Sequence, residues 1–106
     1  MRTIKSRGDF ERVFSRGRRL NDRLLRVRVL RTDEAAPGRV AFVAAKRLGN
    51  AVFRNRCKRV LREAARLCDL PAAGHDVILF STAATHDSSP DEVSASLRRL
   101  LGKSGI

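Results

Sequence analysis

The sequence contains no tryptophan and no tyrosine, and its 106 residues include only five Phe and two Cys. With so few aromatic side chains available for the core, a Phe at the surface needs a specific explanation. Cys57 and Cys68 fall on one predicted helix about 16 Å apart along its axis, which is too far for a disulfide. No CxxC pair is present, and His75 and His86 are not spaced as ligands beside either Cys, so no zinc site is expected.

Long apolar runs are also missing. No stretch approaches the roughly 20 apolar residues that span a bilayer, and the N-terminus lacks the apolar core of a signal peptide. We therefore expect a cytoplasmic protein with no membrane partner, and an anionic membrane surface is the weaker alternative for a basic chain. A length of 106 residues fits one domain, 1–106, and we expect it to be monomeric.

Acidic side chains are scarce as well, because the chain has 11 Asp and Glu against 23 Lys and Arg, a net charge of +12 at pH 7. Nineteen of the cations are Arg, whose planar guanidinium can donate two hydrogen bonds to one phosphate group. Residues 1–68 carry 20 of the basic side chains and 6 of the acidic ones, so the charge is concentrated there. Nucleic acid is the polyanion expected to offset it, although composition does not distinguish DNA from RNA.

The first half of the chain predicts a helix followed by two strands. Apolar residues at helical spacing predict a helix over 7–16, which ends at Gly17. Over 24–31 apolar residues alternate with arginines, which is typical of a strand with one basic face. After a turn, 40–45 predicts a second strand, and we expect these two strands to form a hairpin. Residues 18–20 are a further candidate strand.

The second half predicts a helix, a strand and a helix. Residues 52–67 form the strongest helical pattern, and the continuous apolar run at 76–80 predicts a buried strand. Ser89 and Pro90 are typical of a helix start, and the helix that follows is expected to end at Gly102. The pattern alone therefore predicts the order α-β-β-α-β-α.

The helix predicted over 52–67 has two contrasting sides. On a helical wheel of about 100° per residue, one arc is apolar and is expected to pack on the sheet. This apolar arc contains Cys57, Val60, Leu61, Ala64, Leu67 and Cys68. The opposite arc contains Arg54, Asn55, Lys58, Arg59, Arg62 and Arg66, with Arg56 to one side. Like charges four residues apart destabilise a helix, and a merely solvated face usually mixes both signs, so we favour a phosphate-binding surface.

The segment that opens this helix resembles a known signature. Residues 49–59 read GNAVFRNRCKR and are similar to the hallmark of the ribonuclease P protein family, an RNR helix opened by a glycine turn. The resemblance extends upstream to RVAF at 39–42, KR at 46–47 and DFERVF at 9–14, and downstream to the strand at Asp76. It therefore covers nearly the whole chain.

The resemblance implies an α/β (α+β) two-layer sandwich, in which a four-stranded sheet packs with three helices in the order α-β-β-β-α-β-α. This arrangement is similar to one domain of a ribosomal protein, and it has a left-handed β-α-β crossover through the RNR helix. The implied sheet has one strand more than the pattern alone predicts. Since such crossovers are nearly always right-handed, elementary rules would not have predicted this topology.

The resemblance also implies a function, that of the RNA-binding subunit of ribonuclease P. This subunit assists a catalytic RNA in the endonucleolytic removal of the 5′ leader from precursor tRNA, so both RNAs would be partners. Hydrolysis would depend on Mg²⁺ bound by the RNA subunit, with no catalytic residue and no dedicated metal site in the protein. The residue pattern agrees, because no paired carboxylates flank a nucleophile and both His fall in predicted loops.

Carried over by position, the family's RNA-binding residues fall into two groups. Those for the RNA subunit correspond to Lys46, Arg47, Arg54, Asn55, Arg56, Lys58, Arg59, Arg62 and Arg66. Those for the leader correspond to Phe10, Phe14, Arg26 and Arg28. Stacking of a base on an aromatic ring contributes about 1–3 kcal/mol, which is the physical reason for aromatic residues in a leader cleft. Because Phe10 and Phe14 also have the spacing of core residues on a helix, both interpretations stay open.

The chain departs from the family pattern on two strands. The family often has an aromatic residue where this chain has Arg28, and hydroxyl residues where it has Val43 and Ala45. Arg28 could supply a phosphate contact there in place of stacking.

Two other classes of protein share the basic charge, a structural RNA-binding protein such as a ribosomal one and a DNA-binding module. The RNR motif disfavours the first, and the lack of helix-turn-helix or zinc-finger spacing disfavours the second.

Overall fold

A computed structural model describes residues 1–106 and contains three helices and a four-stranded mixed sheet. The helices are α1 (Arg7–Arg16), α2 (Ala51–Leu67) and α3 (Pro90–Lys103). The strands are β1 (Arg18–Asn21), β2 (Leu25–Arg31), β3 (Arg39–Val43) and β4 (His75–Ser81). Two short 3-10 helices, at Lys46–Leu48 and Ala83–Thr85, lie in the connections. The α+β class and the order α-β-β-β-α-β-α are confirmed, including the candidate strand at 18–20.

The strands lie in the order β1-β2-β4-β3, with β2 antiparallel and β3 parallel to the central strand β4. The predicted hairpin between β2 and β3 is therefore wrong. β4 separates the two strands because it is the most deeply buried of the four, with every side chain from Asp76 to Leu79 almost inaccessible to solvent. Such a strand is stable only with neighbours on both edges and cover on both faces.

The hairpin partner of β2 is instead β1, which follows directly after α1. Gly17 permits this tight junction, because a Cβ at that position would lie only 2.4 Å from the carbonyl oxygen of Val13. The turn between the strands is held at Asp22, whose backbone N–H donates to the Leu25 carbonyl (2.9 Å) and whose carboxylate accepts from the Leu24 N–H (3.2 Å). The sequence pattern does not reveal this hairpin because β1 has only four residues, too few to show the alternation of apolar and polar side chains that marks a strand.

The two faces of the sheet have different cover. Val27 of β2 and Leu79 of β4 belong to the main core, in which they pack with Leu61 of α2 and Leu97 of α3. The alternate residues of these strands point to the opposite face, where α1 lies and contributes the buried Val13. Arg26 and Arg28 of β2 are therefore on the α1 side of the sheet, whereas Arg31 shares the alternation of the core residues Val27 and Val29, and α2 is on the other side.

Helix α2 forms the connection between the parallel strands β3 and β4, as the resemblance implies. The left-handed sense of this β-α-β crossover stays a prediction. Asn50 caps the helix, because its side-chain oxygen accepts a hydrogen bond from the Phe53 N–H at 2.9 Å. The predicted apolar side is confirmed for its first four members, which are buried, whereas Leu67 and Cys68 at the helix end are only half-buried. Ala65 is also buried there.

Two smaller predictions near the C-terminus are corrected. Helix α3 does not end at Gly102 but continues to Lys103, and the chain turns at Gly105, whose φ of 78° is the left-handed conformation that favours glycine. His75 does not lie in a loop but begins β4 opposite Arg31. The start of α3 is as predicted, since Ser89 and the side chain three residues later form a reciprocal capping box.

Candidate nucleic-acid interface

The first basic surface lies along α2 and is called here the α2 cationic face. Its members are Arg54, Asn55, Arg56, Lys58, Arg59, Arg62 and Arg66. Arg54 and Lys58 are half-buried and the other five side chains are exposed, so the predicted surface is brought together on the solvent side of the helix. Glu63 is the one carboxylate within this helix.

The protein itself engages several of these cations. The guanidinium of Arg66 is paired with Glu63, which accepts hydrogen bonds from it and whose pKa is lowered by this contact. The Arg56 Nε donates to the carbonyl of His86 at 3.0 Å, and the Arg62 guanidinium lies 5.5 Å from the centre of the Phe42 ring. Arg59 makes no such contact, so its positive charge is the most available to a ligand.

The first turn of α2 is fixed by an aromatic stack. The rings of Phe53 and His86 are parallel, with centroids 4.1 Å apart and an angle of 2° between their planes. Gly49 makes room for Phe53, because a Cβ at position 49 would lie 2.9 Å from its ring. The glycine turn and the RNR helix are therefore held in one orientation by contacts that the sequence pattern did not predict.

The second basic surface is a cavity of about 230 Å³ between α1 and the sheet, called here the α1 cleft. It is lined by Phe14, Arg19, Asn21, Arg26, Arg28, Val43, Ala45, Arg47, Phe80 and Ser81. Four of these residues are arginines and none is acidic, so the cleft combines apolar walls with positive charge. Such a combination suits a single-stranded nucleic acid, whose bases stack and whose backbone is anionic.

Phe14 forms the exposed wall of the α1 cleft. It is 43% exposed, and its ring meets the Phe80 ring edge to face at 5.9 Å. The Arg28 guanidinium lies 4.3 Å from the centre of the same ring and also donates a hydrogen bond to the Phe14 carbonyl. Burial lowers the pKa of Arg28 and the neighbouring Arg19 lowers it further, yet a guanidinium stays protonated at neutral pH.

The structure places the remaining predicted residues as follows. Arg26 lines the cleft, whereas Phe10 is half-buried behind Phe14, with the two ring centroids 6.3 Å apart, and is not part of the lining. Lys46 and Arg47 are both exposed in the 3-10 helix before α2. Arg47 reaches the α1 cleft, although the family resemblance assigned it to the RNA subunit.

Sequence reasoning missed four residues of the cleft, which are Arg19, Asn21, Phe80 and Ser81. Arg19 and Asn21 lie on β1, a strand too short to give a face by periodicity. The sequence pattern places Phe80 in a buried strand, yet it lies opposite Arg26 in the β2–β4 register and is half-buried on the cleft side. Successive side chains of a strand point to opposite faces. The position of Phe80 directly after the core residue Leu79 was therefore the signal that could have placed it on the cleft side.

A partly buried ion network also escaped the sequence pattern. The Arg39 guanidinium donates to both carboxylate oxygens of Asp76, at 2.7 and 3.2 Å, and to Asp9 at 2.9 Å. Asp76 is 1% exposed. The hydrogen bond from Arg39 lowers the pKa of Asp9, and both carboxylates raise the pKa of Arg39. The network joins α1 to β3 and β4 and so holds one end of the helix that forms the cleft wall.

Three general properties of the chain concern metal sites, membrane spans and thiols. No group of three or more His, Cys, Asp or Glu side chains is arranged to hold a metal ion. None of the helices is both long and apolar enough to cross a bilayer. Cys57 and Cys68 are free thiols, and burial raises the pKa of each.

Comparison with known sequences gives one family. The family model for ribonuclease P matches residues 1–105. The ribonuclease P protein component of Gluconacetobacter diazotrophicus is 37% identical over 105 residues, which cover 97% of this chain and 90% of that protein. The component of Symbiobacterium thermophilum is 36% identical over 104 residues, with the same shares covered.

Comparison with solved structures agrees with the sequence matches. The RNase P protein of Staphylococcus aureus superposes with a TM-score of 0.80 and 27% identity, covering 98% of this chain and 95% of that one. The RNase P protein of Thermotoga maritima has the same fold, with a TM-score of 0.79 and 22% identity over 97% of each chain.

Proposed function

Because the chain belongs to the ribonuclease P protein family, we propose that its α2 cationic face binds the catalytic RNA subunit while its α1 cleft holds the 5′ leader of precursor tRNA. The protein component of ribonuclease P, an endoribonuclease, assists the RNA subunit in leader removal. The assignment of individual residues to the two RNAs is the part that we propose.

The observation that carries this proposal is the separation of the two basic surfaces. The α2 cationic face lies on the helix that covers one side of the sheet, and the α1 cleft opens on the other side. One RNA on each side leaves both surfaces accessible at the same time. The protein can therefore bind the leader while it is held on the RNA subunit, which raises the affinity of the assembly for a substrate that carries a leader.

The chemistry of each surface fits its RNA. Exposed arginines along a helix neutralise phosphates, a contact that is strong but independent of base sequence. The α1 cleft adds the partly exposed ring of Phe14, on which a base can stack, and four arginines that can contact phosphates, of which Arg28 lies 4.3 Å from the centre of that ring. Arg28 lies over the Phe14 ring. It stands at a position where the family often has an aromatic residue, so this chain has a positive charge there in place of an aromatic ring.

Hydrolysis is proposed to depend on Mg²⁺ held by the RNA subunit. Mg²⁺ requires several oxygen ligands, mainly carboxylates and phosphates. Asp9 and Asp76, the carboxylates that the fold brings together, share the guanidinium of Arg39 between them and are not available to a cation. The residues of this chain therefore do not fit a magnesium site, and the protein contributes binding and orientation.

We also propose that the protein is monomeric and acts in the cytoplasm, where tRNA precursors are transcribed in bacteria. The monomer is supported by the edges of the sheet. The N-terminal segment pairs with the outer strand β3, with Ile4 N–H donating to the Val40 carbonyl at 2.8 Å and Val40 N–H to the Arg2 carbonyl at 3.1 Å. The other edge, β1, carries exposed arginines, which disfavour pairing with a second copy.

The direct test is reconstitution with the RNA subunit of the same organism. Cleavage of precursor tRNA is measured with and without the protein at limiting Mg²⁺, over a range of precursor concentrations. We expect the protein to lower the precursor concentration at half-maximal rate. Equal curves with and without protein would contradict the proposed function.

A further inference from the structure

A third basic cavity, of about 270 Å³, lies apart from both surfaces described above. β2 contributes Arg26 and Arg28 to the α1 cleft, whereas Leu30 and Arg31 of the same strand line this cavity. The α1 cleft and this cavity therefore lie toward opposite ends of β2. We call this site the distal cavity, and its polar lining consists of Arg16, Arg18, Arg31, His75 and Ser104.

The charge of the distal cavity is entirely positive. Three arginines line it, and no Asp or Glu does. The Arg18 guanidinium is held in place, because it donates to the Lys103 carbonyl at 2.6 Å. Arg16 and Arg31 are exposed and form no ion pair with the protein, so their charges are available to a ligand. A metal cation would be repelled here, whereas an anion would be attracted.

Two buried polar atoms of the lining have no hydrogen-bond partner in the protein. They are Nε2 of His75 and the hydroxyl oxygen of Ser104. The other ring nitrogen of His75 lies 3.1 Å from the Ala73 carbonyl and donates to it, so Nε2 is left for a different partner. The Ser104 hydroxyl is a donor, whereas Nε2 is an acceptor because the ring proton is on Nδ1, and a buried polar atom without a partner destabilises a fold. An anion in the cavity would accept the hydrogen bond of the Ser104 hydroxyl.

We propose that the distal cavity binds a phosphate group of an RNA strand. The guanidiniums and the Ser104 hydroxyl match the several acceptor oxygens of a phosphate. RNA is the source because this inference rests on the proposed function, in which the protein already contacts two RNAs. At about 3.3 Å per residue, the distance along β2 from Arg28 to the end of the strand is about 10 Å. Leu30, which points to the same face as Arg28, lines the distal cavity, so a strand that leaves the α1 cleft can reach it.

The phosphate can come from the leader upstream of the cleft or from the RNA subunit, and one series of measurements distinguishes these sources. Holoenzymes are assembled with the wild-type protein, Arg31→Ala, Arg16→Ala and His75→Ala. Their affinities are measured for precursor tRNA with a leader of a few nucleotides and with one several times longer, and the affinity of each protein for the RNA subunit is measured separately. Each affinity is determined at several salt concentrations.

Arg7→Ala is the matched control. It also removes one exposed arginine from α1, but Arg7 pairs with Glu11 and lines none of the cavities. Arg31 and Arg16 are exposed, so their replacement is not expected to unfold the protein, and a thermal melt checks this for His75→Ala.

We expect Arg31→Ala and Arg16→Ala to weaken one of these RNA interactions about 3- to 10-fold. The salt slope of that interaction should fall by about 0.7 for each phosphate that the variant no longer neutralises. A weakening confined to the long leader assigns the phosphate to the leader, and a weakening of assembly assigns it to the RNA subunit. Either result supports the proposal.

The proposal would be overturned if Arg31→Ala and Arg16→Ala had the same affinities and salt slopes as Arg7→Ala. Cleavage of the short-leader precursor is followed in the same series. Failure of the wild-type protein to stimulate that cleavage would contradict the proposed function itself, whereas normal stimulation with unchanged variants contradicts only the distal cavity.

Discussion

At the scale of single residues, Phe14 shows how a helical pattern can serve two roles. Its spacing from Phe10 is that of a core residue, and part of its ring does pack, against Phe80. The remaining 43% of the residue surface is exposed at the mouth of the α1 cleft, under the Arg28 guanidinium. The spacing alone could not distinguish core from cleft, because the answer depends on Phe80, which is 66 residues away in sequence.

Among the charged residues, Arg39 is the one whose removal should destabilise the fold most clearly. Arg39→Ala leaves the carboxylate of Asp76 buried without a charge partner. We expect the free energy of unfolding to fall by about 2–4 kcal/mol, below the upper range for fully buried pairs because Arg39 itself stays partly accessible to water. Urea unfolding followed by circular dichroism measures this change.

Arg12→Ala is the control for that measurement, since Arg12 pairs with Asp9 at 2.6 Å on the surface. Surface ion pairs contribute little, so this variant should unfold almost like the wild type. An equally small effect of Arg39→Ala would mean that the network around Asp76 does not hold α1 on the sheet.

Cys57 is a buried residue with a structural role. It is 0% exposed on the apolar side of α2, and burial raises the pKa of its thiol. We expect Cys57→Ala to cost about 1 kcal/mol of stability through poorer packing, and to leave stimulation of cleavage by the folded protein intact. Denaturant unfolding and the reconstituted cleavage assay measure the two effects. Loss of stimulation at full stability would show that the thiol has a functional role.

At the scale of elements, α2 carries charge that weakens it as an isolated helix. Arg54, Lys58, Arg62 and Arg66 follow each other at intervals of four, and only Arg66 has a carboxylate partner within the helix. Like charges at this spacing cost a few tenths of a kcal/mol per pair, which packing of the apolar side must offset. A bound polyanion removes this repulsion, which is the physical reason to assign the RNA subunit to this helix.

Arg59→Ala tests that assignment. Because Arg59 has no partner in the protein, its removal should weaken binding of the RNA subunit and lower the salt slope by about 0.9 for a duplex phosphate or about 0.7 for a single-stranded one. Arg98→Ala is the control, since Arg98 is exposed on α3 and donates to the Leu67 carbonyl at 2.9 Å. Equal salt slopes for the two variants would indicate that the α2 cationic face is merely solvated.

The elements differ in how well the sequence predicts them. The helices are predicted closely, because caps such as Asn50 and Ser89 and the apolar spacing act within a few residues of each other. Strand pairing is not predicted by the sequence, because β2 and β3 are neighbours along the chain while β4 lies between them in the sheet. The pairing of strands depends on burial of the whole sheet, and local pattern carries no information about it.

At the scale of the whole molecule, the function follows from which face of the sheet each basic group occupies. The α2 cationic face could be predicted because its residues lie on one helix. The α1 cleft could be predicted only in part, because its lining comes from α1, β1, β2, the end of β3, the 3-10 helix that follows and β4. Phe80 and Arg19 join it through the sheet register, which pattern and resemblance did not supply.

The measurement that tests the two-surface account most directly is the affinity of the holoenzyme for precursor tRNA relative to mature tRNA, with wild-type protein and with Phe14→Ala. Mature tRNA has no leader to stack, so the account predicts that the variant loses affinity for the precursor alone. Removal of one stacked base should lower the ratio about fivefold or more. Assembly with the RNA subunit should stay as in the wild type, and the thermal melt checks that the variant, which loses the packing of Phe14 on Phe80, is still folded at the assay temperature. A ratio unchanged by the substitution, or an equal loss for both tRNAs, would contradict the account and leave Phe14 as a core residue.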